Sequence, residues 1–278
     1  MDQSLRALQR TWSAQRTDAA LLALLAAYRR ADQPPPLELV RSSPRWRRLT
    51  TFTSKWYRAP LGDLDGDSLR QVTATETELG IELPCAVREW YLLVGRRIAH
   101  LQDHPIKLRD LDPASRDEGV LVLYVENQSV VRWGVRFEDA AAEDPPGYVE
   151  DHVGDGGWLL QHESVSELLL TLVLSETLIG SWSGQGVGAL GPLAEGVRGM
   201  NGAGGAATRA SLEREYSALP LPTWYWPSYP TRFFGDSDTL IRLMDDDWIE
   251  AATRSPGAWS RLASLLEAAD DWAPADTP

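Results

Sequence analysis

The sequence predicts an α+β protein in which a mixed or antiparallel sheet is flanked by helices. A helical extension is expected at the N-terminus, and a β-hairpin plus a helix at the C-terminus. Apolar residues recur with helical spacing over residues 2–31 and 69–95. Over residues 130–137 they alternate with polar residues, which is typical of strands. With 278 residues, 43% of them hydrophobic, the chain is long enough to bury a large core.

Residues 1–36 are predicted to form the N-terminal helical extension. Leu5, Leu8 and Trp12 share one helical face. Thr17 is placed to cap the N-terminus of a second helix. The prolines at 34–36 end this unit, because proline cannot continue a helix.

Residues 37–64 are predicted to be a basic, aromatic connecting segment. Within it, residues 41–58 carry six basic residues, four aromatic residues and no acidic residue. This composition can bind nucleic acid through phosphate contacts and base stacking. It can also pack its rings and arginine stems against the acidic remainder of the chain. Because no nucleic-acid-binding module surrounds the segment, packing is the preferred interpretation, and nucleic acid is not expected as a partner.

The clearest local pattern opens a predicted core over residues 65–182. A helix over about 69–80 is followed by Pro84, which suits the first residue of a second helix, and Gly95 ends that helix. The second helix carries a core-facing stripe: Val87, Trp90, Tyr91 and Val94. Residues 120–126 and 130–137 are then predicted to pair as an antiparallel hairpin with one buried face.

Two short strands and one long helix complete the predicted core. The strands are expected at residues 148–149 and 158–160. Ser164 and Glu167 form a capping box that opens an amphipathic helix, and Gly180 is expected to end it. The helix is expected over residues 165–179, and its apolar stripe is Val165, Leu168, Leu169, Leu172 and Val173.

The remaining chain is predicted to form a connection and a C-terminal extension. Residues 183–214 are rich in glycine and alanine and are expected to be flexible, without a phosphate-binding loop. Residues 215–278 are expected to pack on the core. They contain extended segments around a turn at residues 235–238, and a last helix that Ser255 caps and Pro256 starts.

The order of the elements over residues 65–180 is itself a signature. The residues that carry it are Glu78, Leu79, Gly80, Leu83, Pro84, Trp90, Tyr91, Gly95, Trp133, Gly134, Asp144, Pro145, Pro146, Tyr148, Val149, Ser164, Ser166, Glu167 and Leu168. This order resembles the SUKH superfamily, and the likeness extends loosely over residues 215–270. The superfamily contains mainly bacterial immunity proteins that neutralise polymorphic toxins, often nucleases, and also a fungal regulator of cell-wall synthesis.

The resemblance implies a protein that is not an enzyme and that binds a cognate toxin domain to block its active site. The alternative that it implies is a regulatory scaffold of the cell-wall regulator type. Either way we expect no cofactor, and the protein partner is the functional ligand. The resemblance does not reach residues 1–60, so it assigns no role to them.

No catalytic or metal-binding motif is predicted. Cys85, the one cysteine, has no second cysteine or sequence-local histidine to make it a nucleophile. Residues 63–68 begin like a calcium loop but lack the glycine and the glutamate that such a loop requires. His100, Asp103 and His104 have ligand-like spacing only in a helix, which the next residue, a proline, disfavours.

Charge and hydropathy narrow the expected partners. Residues 1–60 hold eleven basic and four acidic residues, which gives +7, whereas residues 61–278 hold sixteen and thirty-six, which gives −20. Such an acidic chain should avoid nucleic acids and anionic membranes and attract a basic protein. No apolar run reaches membrane-spanning length, and no signal peptide is evident. A cytoplasmic monomer is expected.

Two acidic segments are the candidate partner-binding sites. Residues 138–155 are predicted to form a loop that presents charge to a basic groove, or an acidic loop that only keeps the protein soluble. The candidates there are Glu138, Asp139, Glu143, Asp144, Tyr148, Glu150, Asp151 and Asp155, and Trp158, which follows the glycines at 156 and 157, is a separate candidate. The second segment joins acidic residues to an aromatic anchor: Asp245, Asp246, Asp247 and Trp248.

Overall fold

Two antiparallel sheets, with one helix between them and others around them, make up the structure. It is a computed structural model that describes residues 3–31, 33, 35–99, 103–112, 119–150, 157–225 and 230–275. The predicted α+β class is confirmed. The sequence predicts one sheet, however, and the chain forms two large ones because the segment after residue 182 contributes its own strands.

Four helices make up the N-terminal part of the described chain. They are α1 (Gln3–Gln15), α2 (Asp18–Arg30), α3 (Leu37–Ser42) and α4 (Pro44–Trp56). The predicted cap is confirmed, since the Thr17 hydroxyl accepts the Ala20 N–H at 3.3 Å. The segment that was predicted as a basic connection is mostly helical. Its residues Trp46, Leu49 and Trp56 are buried. These residues follow a helical period, so the stripe packs into the core.

The predicted helix pair is confirmed as α5 (Leu69–Leu79) and α6 (Cys85–Val94). Ser68 and Gln71 form a capping box at the start of α5. Gly80 ends α5 in the left-handed conformation, with φ of 64°, which glycine adopts without a steric penalty.

The first sheet has five strands in sequence order. They are β1 (Asp103–Pro105), β2 (Val120–Glu126), β3 (Arg132–Arg136), β4 (Gly147–Glu150) and β5 (Trp158–His162). The predicted hairpin is β2–β3, with Leu121 opposite Val135 and Tyr124 opposite Trp133. Its buried face is confirmed, since Val131, Trp133 and Val135 are all buried.

The long helix α7 (Val165–Trp182) lies between the two sheets. The predicted apolar stripe is buried, and burial extends beyond it to fourteen of the 18 residues. It also continues past Gly180 to Trp182, because packing against neighbouring strands stabilises its last turn. By length and composition α7 can span a membrane, but 78% of it is buried inside the fold, as in the core helix of a soluble protein.

The second sheet has the order β10-β11-β12-β13-β8-β14, with β9 paired to β11, and the pair β6–β7 stands apart. Its elements, with the helices α8 and α9, are β6 (Val187–Gly188), β7 (Gly191–Pro192), β8 (Arg198–Gly204), α8 (Ala206–Glu215), β9 (Ser217–Ala218), β10 (Trp224–Tyr225), β11 (Pro230–Gly235), β12 (Thr239–Met244), β13 (Trp248–Thr253), α9 (Pro256–Glu267) and β14 (Trp272–Pro274). The last helix is confirmed, with Ser255 as its cap and Pro256 as its first residue.

The prediction of a flexible connection over residues 183–214 is wrong. This segment contains α8 and the interior strand β8, which pairs with β13 and β14. Glycine is required there for close packing. A Cβ atom on Gly199 would lie 2.2 Å from Ser181 Oγ, and one on Gly202 would lie 2.4 Å from the Ala273 carbonyl oxygen.

The second sheet separates two hydrophobic cores. Its inner face, which includes Phe233 and Leu240, belongs to the main core with α7 and the N-terminal helices. Its outer face, which includes Ile241 and Leu243, packs under α8 and α9. The N-terminal helices and the C-terminal part of the chain therefore share one core, while the predicted domain boundaries stay a prediction.

We expect Leu172→Ala in α7 to lower the free energy of unfolding by about 2–5 kcal/mol, because it leaves a cavity between packed layers. Urea unfolding followed by tryptophan fluorescence measures the change. Leu22→Ala in α2 is the control, since Leu22 is 49% exposed and should cost about 0.5 kcal/mol or less. Equal costs for the two variants would contradict the all-round burial of α7.

Candidate protein-interaction surface

The structure divides the predicted site residues among three places. Five lie on or beside the outward face of the first sheet: Glu138, Asp139, Tyr148, Glu150 and Trp158. Two, Glu143 and Asp144, contact arginines of the N-terminal helices. The hairpin tip of the second sheet holds the rest: Asp245, Asp246, Asp247 and Trp248. Asp151 and Asp155 lie outside the described residues.

Strand pairing brings the first group together. In the β3–β4–β5 register, Tyr148 lies opposite Leu160, and Glu150 lies opposite Trp158. Opposed residues of antiparallel strands point to the same face. Trp133 and Val149 occupy the core-facing side, so the six residues of the other side form what we call the outer sheet face: Arg132, Arg136, Tyr148, Glu150, Trp158 and Leu160.

Ion pairs fix the arginines of this face. Arg132 binds Glu150 through two hydrogen bonds, with Nε–Oε2 at 2.6 Å and Nη2–Oε1 at 2.5 Å. Its guanidinium carbon lies 5.7 Å from the centre of the Trp158 ring. Two-point pairing of this kind holds a guanidinium in one orientation. Glu150 therefore positions Arg132 and does not present a free negative charge.

Arg136 and its neighbours repeat this arrangement one step along the strand. The Arg136 guanidinium lies 4.4 Å from the centre of the Tyr148 ring, pairs with Glu138 at 3.0 Å and donates to the Trp158 carbonyl oxygen at 2.8 Å. Tyr148 donates its hydroxyl to Asp139 at 2.8 Å. Burial and this hydrogen bond raise the pKa of Tyr148, so the hydroxyl stays protonated at neutral pH.

Strand β5 adds apolar side chains and an open edge. Within the described part of the chain, β5 pairs only with β4. Leu159 is 53% exposed and Leu160 is 55% exposed, whereas leucines on this fold's other strands are buried. An edge strand has a hydrogen-bonded strand on one side only, and strand β10 of the second sheet approaches β5. The sequence prediction did not include Leu159 and Leu160 among the partner-binding residues. A Trp-Leu-Leu run in a short strand is typical of a buried core strand, so it gave no sign of their exposure.

Glu143 and Asp144 serve the N-terminal helices. Arg45 of α4 binds Glu89 at 2.6 Å and Asp144 at 3.0 Å, while Arg29 of α2 binds Glu89 at 3.2 Å and also pairs with Glu143. We call Arg29 and Arg45 the arginine clamp. Burial opposes the charge on Arg45, but Glu89 and Asp144 outweigh it and raise the pKa. The packing interpretation of residues 41–58 is therefore supported at Arg45.

The clamp extends to the central helix and to the one cysteine. Asp144 accepts the Ser166 N–H at 3.1 Å and its hydroxyl at 2.7 Å, in the first turn of α7. Cys85 donates to Glu89 at 3.3 Å. Burial, followed by the charge on Glu89, raises the pKa of Cys85 to about 12. The thiol is therefore held in its unreactive form at neutral pH.

A second charged group is buried between the sheets. Asp103 donates its backbone N–H to Glu176 of α7 at 2.9 Å, and Arg242 of the second sheet pairs with Glu250. All four residues are buried. Burial raises the pKa of Asp103 to about 7, against the opposing effect of Arg242. Its Oδ1 atom has no hydrogen-bond partner among the residues described here.

The predicted metal-ligand spacing does not form a site. Asp103 and His104 are consecutive residues of β1, so they point to opposite faces, and His104 is exposed while Asp103 is buried. His100 lies outside the described residues. Among the residues that the structure does describe, no three histidine, cysteine, aspartate or glutamate side chains are grouped to hold a metal ion.

The hairpin tip of the second sheet presents less charge than its sequence indicates. Asp245 and Asp246 take the positive-φ positions of the turn, at 50° and 61°. Asp246 pairs with Arg232 at 2.6 Å and with Arg209 at 3.2 Å. Trp248 is half-buried on β13. The tip combines one neutralised carboxylate with two exposed ones, and no large apolar side chain there is as exposed as those of β5.

Comparisons with protein families, with characterised proteins and with solved structures find no match to this chain. The SUKH resemblance stays a prediction. The case for the outer sheet face as an interaction surface therefore rests on its geometry. The face carries fixed arginines and two aromatic rings, and exposed leucines lie on its edge strand β5.

We expect Arg45→Met to lower the free energy of unfolding by about 3–5 kcal/mol, because it leaves Glu89 buried with its charge only partly compensated. Urea unfolding measures the loss. Arg47→Met in the same helix is the matched control, since Arg47 pairs with Asp18 in solvent and its loss should not be measurable. A loss for Arg45→Met as small as that of the control would show that the clamp is not structural.

We expect Asp103→Asn to stabilise the protein at high pH. A carboxyl group whose folded pKa is raised destabilises the folded state as pH rises from its unfolded value of about 4 to its folded value of about 7. The free energy of unfolding of the variant should therefore rise relative to that of the wild type by about 1 kcal/mol per pH unit between pH 5 and 7. Urea unfolding at pH 5, 6, 7 and 8 measures this, with the exposed Asp270→Asn as control. A pH-independent difference would contradict it.

Proposed function

We propose that the protein is a non-catalytic, cytoplasmic immunity protein that binds a cognate toxin domain and blocks its active site. The observation that carries this proposal is the exposed apolar edge of the first sheet. Leu160 is more than half exposed on the outer sheet face, beside the ring of Trp158 and the fixed arginines. Leu159 is also more than half exposed, but it lies opposite Val149 on the other side of the same edge strand.

This combination is what protein interfaces use. Tryptophan, tyrosine and arginine dominate the binding energy of most interfaces that have been scanned. Burying one exposed leucine completely contributes about 1.5–3 kcal/mol. Side chains that ion pairs hold in one rotamer lose little entropy on binding, which preserves more of that energy. The outer sheet face is therefore better suited to a protein surface than to a small substrate.

The charge of the chain supports a basic partner. The net charge of −13 steers a cationic protein, such as a nuclease domain, toward this chain at a distance. Close contact then relies on the apolar edge, since the carboxylates around it already bind Arg132 and Arg136. The implied role in toxin neutralisation comes from the resemblance of residues 65–180 to the SUKH superfamily.

The regulatory-scaffold alternative receives less support. It requires the N-terminal helices to act as a separate docking unit. Leu24 and Leu25 of α2 lie in the main core, and the arginine clamp binds α2 and α4 to α6. These contacts favour a structural role for the N-terminal helices.

We expect Leu160→Asp and Trp158→Ala to weaken toxin binding by more than about 30-fold, which corresponds to interface residues worth about 2 kcal/mol or more. The domain to test as the toxin is the C-terminal domain of any large protein that is encoded beside this chain. Growth rescue on co-expression, with co-purification, measures binding. Leu22→Asp is the control, because Leu22 is equally exposed but lies on α2.

Three results are informative. Rescue by the wild type and the control, with loss in both sheet variants, supports the proposal. Full rescue by the sheet variants shows that the toxin binds elsewhere. No rescue by the wild-type chain removes the immunity function for that toxin.

A further inference from the structure

The helix pair with the clearest sequence pattern lines a large groove. The groove has a volume of about 980 Å³ and runs between the end of α2 and the α5–α6 pair. A second hollow of about 450 Å³ continues it toward Phe137. The two hollows share four lining residues: Ile81, Glu82, Ala140 and Ala141. They therefore form one surface, which we call the helix-pair groove.

Both apolar and acidic side chains line the groove. Apolar side chains from both helices and from the turn before Glu143 line it: Leu69, Ile81, Leu83, Leu92, Ala140, Ala141 and Ala142. Four carboxylates also line it: Glu76, Glu82, Glu89 and Glu143. Two guanidinium groups line it as well, those of Arg29 and Arg88. The side chains of Ala140, Ala141 and Ala142 are small, so a ligand can approach this part of the lining closely.

The positive charges in the groove are already neutralised. Arg88 pairs with Glu76 at 3.2 Å, and Arg29 pairs with Glu89 and Glu143. Glu82 is exposed and has no ion pair within the described ranges. Arg45 also binds Glu89 and Glu143, so Glu82 is the carboxylate of this lining that no arginine binds within the described residues. A ligand in the groove therefore meets apolar side chains and the negative charge of Glu82.

We propose that the helix-pair groove is a second binding site, which takes a short basic protein segment carrying one or two apolar side chains. A lysine or arginine side chain of the segment pairs with Glu82, and its apolar side chain covers Ile81. The acidity of the chain argues against an anionic ligand. None of the groove residues belongs to the outer sheet face, so this site does not depend on the proposed function.

The test uses a dye-labelled 14-residue peptide of alternating lysine and leucine blocks that forms an amphipathic helix, with fluorescence anisotropy and the full chain. Glu82→Arg should weaken binding by about 3- to 10-fold, because it replaces a surface attraction by a repulsion. Glu78→Arg is the matched control: Glu78 is also exposed and without an ion pair among the described residues, but it lies outside the groove. It should change binding less than about twofold.

A gain of affinity provides the opposite check. Ala141→Glu adds a carboxylate to the exposed wall of the groove and should tighten peptide binding by about two- to fivefold. Equal effects of Glu78→Arg and Glu82→Arg would overturn the proposal, since they would show attraction by overall charge only. No binding by the wild-type chain at low salt, or equal binding of a peptide with glutamate in place of lysine, would overturn it too.

Discussion

Burial of α7 on every side is the constraint on which the rest of the structure depends. A helix between two sheets buries most of its polar side chains, and a buried polar side chain is stabilised by a partner inside the protein. His162 of β5 bonds Thr171 at 3.1 Å, Tyr57 bonds Thr177 at 2.8 Å, and the N–H of Asp103 bonds Glu176. These bonds connect α7 to the N-terminal helices and to both edges of the first sheet. Because β4 and β5 turn their inner sides to α7, their other side forms the outer sheet face.

The same packing explains why the acidic segment does not act as one charged loop. Its carboxylates are divided between two structural tasks. Glu143 and Asp144 hold the arginine clamp against α6 and α7, and Glu138 and Glu150 hold arginines on the outer sheet face. Negative charge then contributes to attraction at a distance, while specificity comes from the rings and leucines that the ion pairs frame. The exposed leucines of β5 are tolerated because the strand is short and lies next to charged groups.

Much of the fold was predictable because local signals agree with the final packing. The capping residues at Thr17, Ser164 and Ser255 are all used, and the alternation in β2–β3 matches its buried face. The signal for α4 was present in the spacing of Trp46, Leu49 and Trp56, but the basic charges concealed it. Strand β8 carries no such signal, since glycine has low strand propensity, and only the close approach of α7 and β14 requires it there. The outer sheet face depends on the strand register and on the position of β5 at the edge, which distant parts of the chain decide.

Binding through the outer sheet face is tested most directly by hydrogen–deuterium exchange on the chain alone and in complex with its toxin domain. Protection should appear in β3, β4 and β5, and it should be strongest in β5, whose outer backbone groups are open in the free chain. Residues 245–248 at the hairpin tip should exchange equally in both states. A stable complex in which β5 exchanges at its free rate, while protection lies elsewhere, would contradict the assignment of this surface.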